Sequence, residues 1–199
     1  MTEHDRLVLF VDWQNAYNSA RRAFFTPPTF HTQGQFFPDL LGNLIASRHG
    51  TPGAAPRILT EVRIYTGLPD ATRDPRGHAA RSRQIAALRA RGVNVIWRAL
   101  RYRGTQAQEK GIDVALAIDF VALAASDDYD IGVLFSGDTD LIPALEFVRR
   151  QYPSKTVEVA AWHSDTTNRR LSIRGANVWC HWLYLSDYRA VDDTSDYNL

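Results

Sequence analysis

Ser136-Gly137-Asp138-Thr139-Asp140 stands between two apolar stretches. Ile131 to Phe135 before it reads as a buried strand, and Leu141-Ile142-Pro143-Ala144-Leu145 after it reads as a helix start. The turn leaves Asp138 and Asp140 at the carboxyl end of a strand. A second apolar strand, Leu7 to Val11, ends in Asp12, with Asn15 three residues on. A further acid, Asp113, sits near the start of the helix that leads into the Asp138 strand. Carboxylates gathered from separated segments repel one another unless something neutralises them, and a hard divalent cation is the usual neutraliser. The pattern is that of a cation-holding centre.

Each of these residues has a plainer reading beside the functional one. Asp12 ends a strand that is apolar on both faces, the mark of a central parallel strand. Ligands of open α/β sheets bind outside the strand ends where the strand order reverses. Were the Asp12 and Asp138 strands neighbours there, the two acids would face each other across the crevice; otherwise Asp12 is a helix cap. Asn15 orients a phosphate or a water, or caps. Gly137 lets backbone approach a ligand closely, and Asp138 beside it has no packing explanation. Asp140, three residues before Pro143, is a metal ligand or an N-cap. The Ser136 hydroxyl bonds a ligating carboxylate or satisfies its own turn. At about 100° per residue, Lys110 and Asp113 share one helix face, either aimed together at a phosphate or forming an i,i+3 pair. Asp119, rotated away by about 120°, is a weaker ligand candidate that also suits a neighbouring arginine.

These acids need a scaffold, and the chain supplies alternating elements. Strand-like runs at 6–12, 58–66, 93–100, 130–136, 156–162 and 178–185 alternate with helical patterns near 14–25, 36–49, 77–91, 109–126, 140–151 and 167–174. That alternation predicts a single α/β domain, three αβα layers around a mainly parallel sheet. Pro and Gly mark 26–37 and 50–56 as loops, an elaborated first crossover. The expected division is a domain over 1–185 and an acidic segment over 186–199, a tail or a surface-packed strap.

Several classes of function are disfavoured. No Gly-x-Gly-x-x-Gly follows the first strand and no Gly-x-x-x-x-Gly-Lys-Ser/Thr occurs, against dinucleotide or P-loop sites. Gln14 stands where a haloacid-dehalogenase-type phosphatase would place its second acid. The six histidines lack His-x-x-x-His spacing, against zinc. Cys180 is the sole cysteine, so no internal disulfide forms. No run approaches the ~18 apolar residues of a membrane span, and the first strand begins too early for a signal peptide; a cytoplasmic protein is expected.

Net charge is only +1, but it is unevenly spread. Residues 57–110 carry 12 Lys/Arg against 4 Asp/Glu, and residues 111–199 carry 7 against 14. A basic middle beside an acidic half suits a polyanion that docks on one surface and is processed at an acidic centre.

Three segments together carry a family resemblance. Leu9-Phe-Val-Asp12-Trp-Gln-Asn15, Lys110-Gly-Ile-Asp113-Val-Ala-Leu-Ala-Ile-Asp119 and Val133-Leu-Phe-Ser136-Gly-Asp138-Thr-Asp140-Leu-Ile-Pro143 resemble, in order and spacing, the motifs of NYN domains, a branch of the PIN-like metal-dependent ribonucleases. Leu141 replaces the family's usual aromatic, and Ala176-Asn177-Val-Trp179 stands where Ala-Asp-x-Phe is common. The resemblance implies Asp12 adjacent to Asp138, Mg²⁺ or Mn²⁺ held by Asp12, Asp113 and Asp138, and cleavage of RNA. Some PIN-like relatives only bind RNA, so a non-catalytic RNA-binding or scaffolding domain is the alternative; a phosphatase of small phosphoesters is another.

On that reading the chemistry is phosphodiester hydrolysis without a side-chain nucleophile. Arg98, Arg101 and Arg103, just before Lys110, are the expected backbone-phosphate contacts. Trp13 and Tyr102 are stacking candidates for an unpaired base, with packing the plainer role for Trp13. The acidic end would act as a weak pseudo-substrate on the basic surface or simply solubilise. A homo-oligomer or protein partner is compatible with the sequence.

Overall fold

The computed structural model describes residues 4–48, 55–104 and 106–199. In chain order the elements are β1 (Asp5–Asp12), α1 (Trp13–Phe24), α2 (Pro38–Ser47), β2 (Arg57–Leu68), α3 (Pro75–Ala90), β3 (Asn94–Ala99), β4 (Arg101–Arg103), β5 (Gln106–Gln108), α4 (Ile112–Ala125), β6 (Ile131–Phe135), α5 (Ile142–Gln151), β7 (Thr156–Trp162), β8 (Trp179–Leu183) and α6 (Leu185–Val191). A single 3-10 turn, Thr139–Leu141, leads into α5.

The main sheet has six strands in the order β3-β2-β1-β6-β7-β8, every pairing parallel. The chain builds outward from β1 to one edge, then returns beside β1 with β6 and builds to the other. The order therefore reverses between β1 and β6, and their carboxyl ends frame the crevice where ligands bind in such sheets.

β1 takes the centre because its apolar run has no polar face to turn to water. Leu7, Leu9 and Val11 join the core beneath α1, α2, α3 and α6. Val8 and Phe10 join the opposite core beneath α4 and α5. On that second face Phe10 meets Phe120 edge-on, ring centroids 5.0 Å apart. On the first, Trp162 is ringed by Phe24, Phe36, Phe135 and Tyr188. This is the three-layer α/β fold expected from the alternation.

The differences from the expected elements are local. Residues 167–174, predicted as a helix, form none. Leu171 and Ile173 are buried while Ser172 and Arg174 are exposed, a period of two rather than 3.6. β3 is followed by a short antiparallel hairpin, β4–β5, between the strand expected over 93–100 and the helix expected from 109. α4 begins at Ile112 rather than 109, because Gly111 is left-handed, φ 74°, and stops backward propagation. The helix predicted over 36–49 spans Pro38–Ser47; residue 49 and most of the 50–56 loop lie outside the described residues.

The acidic end is a packed strap. α6 buries Tyr188 and Val191, Asp192 bridges to Phe36, and Asp193 is fully buried, accepting from Ser195 N and the Tyr197 hydroxyl. Among the described residues no helix is long and apolar enough to cross a membrane.

Candidate acidic centre

Asp12 closes β1 and caps α1, its Oδ1 accepting the Asn15 N–H at 3.2 Å. Its Oδ2 accepts the Ser136 hydroxyl at 2.9 Å. Ser136 Oγ in turn accepts the Asp138 N–H at 3.0 Å. Asn15 Oδ1 accepts the Gly137 N–H at 2.9 Å, so β1 and β6 are latched together at the strand-order reversal. Asp138 Oδ1 accepts the Asp140 N–H at 3.0 Å and caps the 3-10 turn. Asn15 and Ser136 thus hold the two strand-end acids in place.

Asp113 enters from the first turn of α4. Desolvation pushes the Asp12 carboxyl above the ordinary aspartate value; the Asn15 and Ser136 hydrogen bonds oppose this, and the charges of Asp138 and Asp113 push the same way. The three acids share one electrostatic neighbourhood, and among the described residues no Lys or Arg forms an ion pair with any of them.

Glu109 is a fourth member that the sequence reading missed. Its carboxyl end is desolvated although much of the residue faces solvent, and this pushes it above the ordinary glutamate value; Asp12 and Asp113 add to the rise, while Gly67 and Arg81 oppose it. Glu109 Oε1 accepts the Gly67 N–H at 3.2 Å. A Cβ at position 67 would lie 2.9 Å from that oxygen and 2.2 Å from the Leu100 side chain, so glycine there lets the glutamate reach the end of β2. The signal available in sequence was adjacency, one position before the Lys110-Gly-Ile-Asp113 motif.

The other expected residues divide. Asp119 is bound to Arg63 Nη2 and to the Tyr65 hydroxyl, each at 2.8 Å, the arginine-tethering alternative. Lys110 precedes the left-handed Gly111 and is exposed off the helix, so it does not share a helical face with Asp113. Asp140 is exposed at the rim. Arg98 packs against Gly111, where a Cβ would sit 3.7 Å from its Nε, and so reaches the entrance of α4. Arg101 and Arg103 are exposed on β4. The Tyr102 hydroxyl accepts the Asp70 N–H at 3.1 Å, and Arg73 lies over its ring. Trp13 is buried against Phe36, centroids 5.1 Å apart.

Cations lie on both flanks of the acids. Burial holds the Arg81 guanidinium of α3 below its usual value, with Glu109 opposing that shift. On the far side, Arg22 and Arg169 line a hollow of about 470 Å³ that also touches Asn15, Ser136 and Gly137.

The donor set suits a hard divalent ion: all oxygen, several carboxylates in one another's field, and no paired cation. As placed, no three His, Cys, Asp or Glu side chains among the described residues close round one point. The chemistry and the charge fit; the side chains are not drawn into a ligating shell.

The NYN domain family model matches residues 6–174. No curated protein matches the chain significantly. A crystal structure of a protein of unknown function from Vibrio parahaemolyticus shares the fold, with TM-score 0.54 and 22% identity over 79% of this chain and 81% of that one. With the match covering β1 through the segment after β7, the chain belongs to the NYN domain family, among the PIN-like nucleases.

Proposed function

We propose that the chain hydrolyses RNA phosphodiester bonds at the acidic centre, with Mg²⁺ or Mn²⁺ held by Asp12, Asp113 and Asp138 and supported by Glu109. The observation that carries this reading is the Asp12 carboxylate at the strand-order reversal, fixed by Asn15 and Ser136, desolvated, and in the field of Asp138 and Asp113 with no Lys or Arg paired to it among the described residues. A divalent cation supplies Lewis-acid polarisation of the phosphate and a more acidic bound water. The protein's own part is positioning. Ser136 and Asn15 fix the Asp12 carboxylate and the β6 exit. Arg98, Arg101 and Arg103 offer phosphate contacts on the α4 side, and Arg22 and Arg169 on the β7 side. Asp140 and Lys110 stand at the rim as secondary candidates.

A second reading, RNA binding without cleavage, draws on the acids not closing round one point. Incubating purified protein with structured and unstructured RNA in Mg²⁺, Mn²⁺ or EDTA separates the two. Cleavage that EDTA abolishes supports hydrolysis; stable complexes with intact RNA under every condition support binding alone.

A further inference from the structure

Between α1 and α3, on one flank of the acidic centre, lies a cavity of about 250 Å³. Sites for drug-sized ligands start near ~300 Å³, so this one has the scale of a single ring system. Its walls differ in chemistry. It is lined by the partly exposed ring of Tyr17 and the almost fully buried Trp13, by the amides of Gln35 and Gln84, by the Arg81 guanidinium and, at its edge, by Tyr197 of the strap.

The polar wall is built rather than incidental. Arg81 Nη1 donates to Gln84 Oε1 at 2.7 Å, Gln84 Nε2 donates to Gln35 Oε1 at 2.9 Å, and Gln35 Nε2 donates to the His31 carbonyl at 3.3 Å. Both glutamines are buried, 5% and 6% exposed. The chain of bonds fixes the amide orientations and leaves Arg81 with four of its five N–H donors free of protein hydrogen bonds among the described residues. No carboxylate pairs with it there; Glu109 acts on it only as a nearby charge. A half-buried planar donor beside aromatic surface suits an unpaired base, which stacks on one wall and is hydrogen-bonded along its edge. Guanine offers two adjacent acceptors, O6 and N7, that match paired guanidinium donors. A phosphate alone would engage Arg81 but leave the aromatic and amide walls without a role. The cavity also sits next to the chemistry, since Trp13 directly follows Asp12.

We propose that this cavity is a base-specificity subsite that takes one unpaired guanine of an RNA strand whose neighbouring phosphate lies at the acidic centre. It rests on the reading of the centre as an RNA site, and the test separates the two. The full chain carrying Asp138→Asn, to keep RNA intact, is titrated in Mg²⁺ with short 5′-fluorescein oligouridine. Parallel strands carry a single guanosine or a single abasic nucleotide at each position in turn, and binding is read by anisotropy. A guanosine at one register should tighten binding about tenfold, within the range of base–aromatic stacking, and an abasic nucleotide there should lose that gain. Adding Arg81→Lys, which keeps the charge, or Gln84→Leu, which lowers the melting temperature by leaving Gln35 Oε1 without its buried donor, should erase the guanosine gain while leaving oligouridine affinity near its starting value. Equal binding of all the strands, or a guanosine gain that survives both substitutions, overturns the subsite while leaving RNA binding intact. No binding of any strand overturns the RNA reading and the subsite with it.

Discussion

Both oxygens of Asp12 are hydrogen-bonded before any ligand arrives, to the Asn15 N–H and the Ser136 hydroxyl. Its orientation is therefore set by the protein, while its charge is opposed by Asp113 and Asp138. Such a site carries strain in the cation-free state that function requires. Asp138→Asn is expected to abolish cleavage and leave the urea midpoint unchanged or raised, because asparagine can still accept the Asp140 N–H while one repelling charge is gone. Loss of the folded state, read by circular dichroism, would make Asp138 structural instead. Asp12, Asp113 and Asp138 stand out in the sequence as candidates because an acid ending an apolar strand or opening an apolar helix has little packing work to do, and the structure puts Asp12 in the field of the other two. Glu109 and Arg81 were not, since each depends on a side chain reaching across from another element. Lys110 was misplaced for a backbone reason: the left-handed Gly111 detaches it from α4.

At the scale of elements, alternation and apolar runs were enough to read the parallel sheet and the position of β1. The 167–174 segment failed because a short stretch with two buried apolar residues fits either period until its neighbours are known. Hairpin β4–β5 failed because it is held by outside partners, Arg73 bonding the Gly104 carbonyl at 3.1 Å. Buried charge ties the sheet elements together. Glu158 of β7 accepts from both terminal nitrogens of Arg57 at 2.9 and 3.0 Å and lies 2.7 Å from His181 Nε2 of β8. Burial raises its carboxyl, but His181 and Arg57 outweigh burial and hold it below the ordinary glutamate value. A depressed folded-state value means this stabilisation is present above the unfolded glutamate value, about 4.3, and fades as pH falls below it. Melting temperature should therefore drop as pH falls from about 5 to 3. Glu158→Gln should flatten that drop and cost about 3 kcal/mol near neutrality, as breaking a buried pair does. An unchanged acid profile in the variant would remove Glu158 from the acid response.

Across the whole molecule, the charge split read from the sequence maps onto structure in two ways. The arginines of 57–110 include Arg98 beside the entrance of α4, Arg101 and Arg103 exposed on β4, and Arg81 in the field of Glu109. Neutralising Arg101 is expected to weaken binding about equally for all RNA sequences and to lower the salt slope of log affinity by about one. An unchanged slope would take Arg101 off the RNA path. The acidic end lies elsewhere: Asp196 pairs with His31 at 2.8 Å, and the Tyr197 carbonyl accepts from Arg83 at 2.8 Å. Among the described residues no hydrogen bond or ion pair joins 186–199 to Arg98, Arg101 or Arg103. The acidic composition signalled a segment apart, whereas Tyr188 and Val191 carry it into the core. Removing 186–199 is expected to lower the melting temperature by ten degrees or more, roughly the cost of two buried side chains; a truncation that melts like the full chain would show the strap to be dispensable.

The central claim is that carboxylates from β1, α4 and β6 form one cation centre, and calorimetric titration of Mn²⁺ tests it most directly. The full chain should bind Mn²⁺ with heat that Asp113→Asn largely removes, although Asp113 lies on a different element from Asp12 and Asp138. Equal Mn²⁺ binding by the two proteins, or none by either, would contradict it.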